Sequence, residues 1–273
     1  LDDYLIQERS RLGAQSARDV SSLGVGAMLH DVGMLRLDPG VVQRWNLTLD
    51  ETDPEWRRHV HVGYELVKDA IGPSAAAGVL HHHQKFDGTG FPKRQLLSGL
   101  EEPLTGSDIH VFARIIACAD LFDRLRHPPT QDRGAAPVPV VRVLNRLRAE
   151  PYRNWIDPMV FKALLAVIPA FAPGTMVTLN NGVQGVVTQW FPDDPCRPTV
   201  QELGEIRRDQ PPFGAAPRRF ALREDPDLCV VFSEGEDVSE DCFYPATPGE
   251  FDLRLAGRAL HNRAAKDALT RVA

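Results

Sequence analysis

Hydrophobic positions recur at helical spacing from about residue 5 to residue 168, and the pattern breaks where Pro or Gly intervenes. One helix is predicted to start at Thr52 or Asp53 with Pro54 in its first turn. It places Trp56, His59, Val60, Gly63, Leu66, Val67 and Ala70 on one face before Gly72-Pro73 ends it. A second is predicted from about Ser107 to Leu125, with Ile109, Phe112, Ala113, Ile116 and Asp120 on one stripe. A third begins at Asp157-Pro158, carries Val160, Phe161, Leu164, Leu165 and Ile168, and stops at Pro169. After Pro173 the period changes: Met176 to Leu179, an Asn181-Gly182 turn and Val183 to Trp190 predict a β-hairpin, with further strands at Thr199 to Leu203 and Leu228 to Phe232. His127 to Pro139 reads as a mobile loop, Gln210 to Pro217 as a flexible one, and the last stretch as helix by its Ala, Leu and Arg content. The expected organisation is a mainly α domain over 1–170, a small β-rich module over 171–250 and a helical tail over 251–273.

Composition narrows this picture. A chain of 273 residues suits a large domain plus a small one, and 43% hydrophobic with 25% charged residues is the balance of a soluble protein with a sizeable core. A net charge of -6 makes no field for polyanions, so bulk nucleic-acid binding is excluded and any nucleotide must be held by a local site. Cys118, Cys196, Cys229 and Cys242 are scattered without a C-x-x-C pair, which points to reduced thiols and a cytoplasmic location. No run approaches the about 20 apolar residues of a membrane span, so no membrane partner is expected. The chain opens on Leu1 rather than Met, so a fragment of a longer protein is expected.

The residues that change the picture most are His30-Asp31, His59, His82-His83 and Asp120. Imidazole and carboxylate donors suit transition metals, carboxylates can bridge two ions, and a dinuclear centre suits phosphoester hydrolysis. Each residue also has a plainer reading. His30-Asp31 follows the apolar run Val25 to Leu29 and reads as a helix end too, while His59 reads as a hydrogen-bonded core histidine. His61 falls on the other face and reads as solvated. Asp120, a carboxylate on an apolar stripe, favours the ligand reading because an unpaired buried charge is costly.

In order and spacing these residues resemble the HD-GYP family of cyclic di-GMP phosphodiesterases within the HD superfamily. His30-Asp31-Val32-Gly33 resembles its HD signature, and His59 with Gly63 resembles its H-x-x-x-G element. The stretch from His82-His83-Gln84 through Asp87-Gly88-Thr89-Gly90-Phe91-Pro92 resembles its HHE-x-x-DG-x-G-Y-P run, and Ala113-Arg114-Ile115 with Ala119-Asp120-Leu121-Phe122-Asp123 its ARI…AD-x-F-D helix. The resemblance implies an HD-type helical bundle in which His30, Asp31, His59, His82, His83 and Asp120 hold two transition-metal ions, iron first and manganese second. It makes His30 and Asp31 the catalytic pair, with Asp31 as the bridge. Lys85, Asp87, Gly88, Gly90, Pro92 and Arg114 would line the substrate side, Arg114 reading equally as a structural partner of a carboxylate. Cyclic di-GMP or a related nucleotide is the implied ligand, hydrolysed to the linear dinucleotide, GMP or both. The resemblance also leaves room for a homodimer and an upstream regulatory domain.

The departures from the pattern are specific. Met34 stands where the family has Lys, Gln84 replaces Glu, Phe91 replaces Tyr, and Pro128-Pro129-Thr130-Gln131-Asp132 stands where the family has R-P-Y-R. They predict a weak phosphodiesterase. The alternatives are a degenerate module that binds nucleotide or a partner protein without turnover, and an HD phosphohydrolase acting on another nucleotide.

Overall fold

The computed structural model describes residues 20–129, 135–203 and 218–253. The expected helical start before residue 20, the loop over 210–217, the tail beyond residue 253 and part of the 127–139 loop lie outside these residues. The described chain is a mainly α domain followed by a β sheet, and it divides into two compact units. Described residues 20–129, 135–137 and 149–161 form the first; 138–148, 162–203 and 218–253 belong to the second.

In the first unit, α1 (Val20–Leu29) runs into His30-Asp31 and a 3-10 turn at Val32–Arg36. Next comes α2 (Pro39–Thr48), whose Asp38 cap accepts the Gly40 N–H at 2.7 Å. The single helix expected from residue 53 to 72 is instead a short α3 (Pro54–Arg57), capped by Asp53, and α4 (His59–Val67). Arg58 between them keeps helical angles, φ -63° and ψ -22°, and the Trp56 carbonyl accepts from the His59 ring at 2.7 Å.

Then follow α5 (Pro73–His81), a two-stranded antiparallel pair β1 (Arg94–Gln95) and β2 (Glu101–Glu102), and α6 (Val111–Arg126). The last begins later than the expected Ser107, because His110 Nδ1 caps it by accepting the Phe112 N–H at 3.1 Å. α5 packs between α1 and α6, and α4 packs against the 3-10 turn. One apolar cluster joins Val41, Trp56, Val60 and Phe91, with Met34, Leu37, Trp45 and Leu80 against it, and Trp45 stacks on Trp56 with ring centroids 3.7 Å apart.

In the second unit α7 (Val140–Arg148) buries Val141, Val143, Leu144 and Leu147. Arg142 on this helix donates to Asp241 at 2.8 Å and also to Glu236. After α8 (Tyr152–Trp155), which belongs to the first unit, α9 (Pro158–Val167) starts at the predicted proline and crosses the boundary between the units. The predicted hairpin is β3 (Met176–Leu179) and β4 (Gln184–Gln189), paired Met176 to Val186 and Val177 to Gly185 across Gly182 at φ 83°. With β5 (Thr199–Glu202), β6 (Arg219–Ala221), β7 (Val230–Ser233) and β8 (Glu236–Asp237) they form an antiparallel sheet of order β6-β5-β4-β3-β7-β8. All four cysteines are free thiols. Among the described residues no helix is long and apolar enough to cross a membrane.

Candidate metal centre

The close approach of two glycines builds the site. Gly33 in the 3-10 turn lies so near α4 that a Cβ there would stand 1.9 Å from the His59 carbonyl oxygen and 2.6 Å from the Gly63 nitrogen. The H-D-x-G and H-x-x-x-G spacings therefore have a packing meaning: two side-chain-free positions face each other and bring Asp31 beside His59. The turn after α5 delivers His82 and His83 to the same place.

Asp31 Oδ1 stands 3.4 Å from both His59 Nε2 and His82 Nε2, and His59 Nε2 lies 3.3 Å from His82 Nε2 and 3.2 Å from His83 Nε2. Asp31, His59, His82 and His83 are the one set among the described residues whose donor atoms converge within 4.8 Å. The far nitrogens decide the tautomers. His59 Nδ1 reaches the Trp56 carbonyl at 2.7 Å and His82 Nδ1 the Val79 carbonyl at 2.8 Å. A carbonyl only accepts, so each Nδ1 carries the hydrogen and Nε2 is the donor atom that each ring turns inward in its neutral form. Facing lone pairs repel unless a cation sits among them. Bonds of about 2.1 Å to one ion give donor edges of about 3.0–3.4 Å, which these separations match.

Asp31 faces two ways. Its Oδ1 meets His59 and His82, while its Oδ2 lies 3.5 Å from His30 Nε2, whose Nδ1 is tied to the Ala27 carbonyl at 2.7 Å. That is the disposition of a bridging carboxylate. Burial works to raise the Asp31 pKa, but the bond to His82 and the charges of His30, His82 and His59 outweigh it and bring it down to about 2. Burial pushes His59 down to about 4 and His83 well below the usual imidazole range.

Asp120 stands outside the four-residue set. It is largely buried, and burial raises its carboxyl pKa against the pull of Arg124 and His82. Its Oδ2 is 3.1 Å from Arg124 Nε, yet both atoms are buried without a hydrogen bond. A buried carboxylate oxygen without a hydrogen bond, beside an imidazole cluster, fits the role of a cation ligand. The donor set as a whole, nitrogen and carboxylate without thiolate, fits a divalent metal.

The other expected site residues serve varied contacts. Lys85 Nζ donates to Glu51 at 2.8 Å and lies 3.4 Å from the Trp155 ring centroid. Asp87 accepts from the Thr89 N–H at 2.9 Å and hydroxyl at 2.7 Å, fixing the turn in which Gly88 adopts φ 84°. A Cβ at Gly90 would lie 2.4 Å from the His83 carbonyl, so this turn folds directly onto the backbone that carries the His83 ring. Phe91 stacks on the His83 ring at 4.8 Å, and the Gln84 amide donates to the Pro92 carbonyl. Gln84 thus braces the turn. Arg114 is buried and donates to Asp157 Oδ2 at 2.5 Å, the structural partnership that one reading of the sequence allowed.

Three contributors escaped the sequence reading. Trp56 packs against His59 and His83 but looked like any core aromatic. Asp157, read as a helix start, caps α9 through the Met159 N–H at 2.7 Å and gives its other oxygen to Arg114. Glu51 lies in a loop outside every motif.

The buried histidines make acid stability a prediction. Burial holds His59, His81 and His110 each at about 4 against an ordinary 6.5, so the unfolded chain binds more protons between those values. Their contribution is complete above pH 6.5 and is lost as pH falls toward 4. The melting temperature of metal-depleted protein is expected to drop steadily between pH 7 and 4.5; a flat profile would contradict the burial of these rings in neutral form.

The comparisons with known proteins agree with this geometry. The sequence model of the HD domain matches residues 6–160, more than half of the chain. A cyclic di-GMP phosphodiesterase of Pseudomonas aeruginosa is 28% identical over 198 residues, 70% of this chain and 44% of the relative. A cyclic di-GMP phosphodiesterase response regulator of Xanthomonas campestris is 33% identical over 114 residues, covering 40% and 28%. A 3'3'-cGAMP-specific phosphodiesterase of Vibrio cholerae is 32% identical over 144 residues, covering 50% and 27%. The chain thus spans less than half the length of these relatives. The family match, with the imidazole and carboxylate cluster at the positions of the signature, makes this chain a member of the HD domain family in its HD-GYP branch.

Proposed function

We propose that the chain is a metal-dependent phosphodiesterase acting on cyclic di-GMP or a closely related cyclic dinucleotide. The observation that carries this reading is the convergence of the His59, His82 and His83 Nε2 atoms on an Asp31 whose second oxygen faces His30. His30, Asp31, His59, His82, His83 and Asp120 would hold two ions, iron or manganese by their donor chemistry. Such ions supply activated water at neutral pH and neutralise phosphate oxygens.

The protein's own part is positioning and charge. Backbone carbonyls of Trp56, Val79 and Ala27 hold the Nδ1 atoms of three imidazoles, so each ring presents Nε2 as its donor atom in a fixed orientation. The Gly88-to-Pro92 turn backs His83, and Phe91 covers its ring from water. Asp31, with 47% of its side chain exposed, opens the centre to solvent and to substrate. Lys85 is the cation nearest the His82-His83 pair in sequence, held by Glu51 in the lining of a cleft shared with His82, His83 and Arg124.

The test is a product assay on cyclic di-GMP and on cyclic GMP–AMP, with protein reconstituted in iron or manganese under anaerobic, reducing conditions. Linear dinucleotide or mononucleotide formed only with metal supports the proposal. Metal-loaded protein that binds either substrate without cleaving it would replace it with the binding-module reading.

Met34 bears on packing rather than on substrate affinity. The missing lysine suggests Met34→Lys as a gain of a phosphate contact, but the thioether packs against the Val41, Trp56, Val60 and Phe91 cluster. Met34→Lys is therefore expected to cost about 1 kcal/mol of stability and to leave KM unchanged. A lower KM at unchanged melting temperature would show that the side chain swings out to the substrate.

A further inference from the structure

Beside the imidazole cluster runs a chain of four charged side chains. Lys85 Nζ donates to Glu51 Oε2 at 2.8 Å, Arg124 Nη1 donates to Glu51 Oε1 at 2.7 Å, and Arg124 Nε stands 3.1 Å from Asp120 Oδ2. All four are 14–21% exposed, so their charges are only partly screened. The last contact differs from the others in lacking hydrogen-bond geometry at either atom. Arg124 spends its aligned donor on Glu51 and leaves Asp120 with proximity alone.

We propose that Glu51 is a positioning residue of the metal centre, engaging Arg124 and Lys85 so that the Asp120 carboxylate stays free to ligate. The proposal rests on the reading of Asp120 as a ligand. Without the Glu51 charge, Arg124 could rotate onto Asp120, its neighbour one turn back on α6, and close a charge-assisted hydrogen bond. Two uncompensated cations would also face the incoming divalent ions. Both effects weaken metal binding, and neither requires Glu51 to touch metal or substrate. The loop that carries Glu51 is held separately, because Arg57 Nε donates to the Glu51 backbone carbonyl at 2.6 Å, so an amide in place of the carboxylate leaves that anchor intact.

The experiment is a titration of the metal-depleted chain with Mn²⁺, followed by calorimetry and by metal content after gel filtration, on wild type, Glu51→Gln, Arg124→Gln and the double variant. Glu51→Gln is expected to weaken the looser ion about tenfold or more. Arg124→Gln, which removes both the competitor and a repelling charge, should bind that ion at least as tightly as wild type. The double variant should recover most of what Glu51→Gln loses, whereas a merely structural role predicts losses that add. Equal binding by wild type and Glu51→Gln, a double variant no better than Glu51→Gln, or weaker binding by Arg124→Gln overturns the proposal while leaving the metal centre standing. The Arg124→Gln arm decides the matter even where Glu51→Gln fails to fold. Wild type that binds no Mn²⁺ or Fe²⁺ removes the metal reading itself.

Discussion

Asp31→Asn is expected to lower turnover steeply and to remove at least one ion from the purified protein while the helical circular dichroism persists. Among the described residues this carboxylate faces both His59 and His82 through one oxygen and His30 through the other, so its loss is expected to unlink the two halves of the proposed centre. Metal ions contribute several kcal/mol of transition-state charge stabilisation. At about 1.36 kcal/mol per decade that is a fall of roughly a thousandfold in kcat. His61→Ala is the control, because His61 is exposed on the opposite face of α4 and no donor of the cluster is lost. Elemental analysis of both variants checks the prediction. Asp31→Asn with two ions retained would remove Asp31 from its bridging role, and a His61→Ala variant that loses metal would show that the centre extends across α4.

Gly33→Ala should do comparable damage by a different route. A methyl group there would meet the His59 carbonyl oxygen at 1.9 Å and the Gly63 nitrogen at 2.6 Å, and both obstacles are backbone that cannot rotate aside. The 3-10 turn must lift from α4, carrying Asp31 away from His59 and loosening the packing of Met34 on the apolar cluster. An expected cost of about 3 kcal/mol, at the upper end for overpacking, corresponds to a fall of roughly 6–12 °C in melting temperature. Metal content should fall with it, since donors separated by an extra ångström no longer share one ion. Differential scanning fluorimetry on metal-depleted protein separates the packing loss from the metal loss. A variant that melts like wild type and keeps its metal would mean that the turn and α4 do not approach as closely as the glycine pair indicates.

The sequence by itself determined what short-range pattern can carry. A 3.6-residue period marked the inward stripes of α4 and α6 and placed His59 and Asp120 on them. Asn181-Gly182 marked the turn between β3 and β4, and Pro54 and Pro158 marked two helix starts. Signature spacings singled out His30-Asp31 and His82-His83. These features are legible because each depends on residues a few positions apart, where helix and strand geometry impose a repeat.

Only the tertiary structure decided which donors share a point in space, that Asp31 looks two ways, and that Arg114 belongs to Asp157. It also ended the helix expected to reach residue 72 at Val67, and it grouped residues 138–148 with the β unit rather than with the helices before them. Glu51 shows the reason most plainly. Its partners Lys85 and Arg124 lie far along the chain, and no periodicity links a loop carboxylate to them. Such pairings arise from packing between separate elements, and packing between distant segments leaves no repeating mark on the sequence.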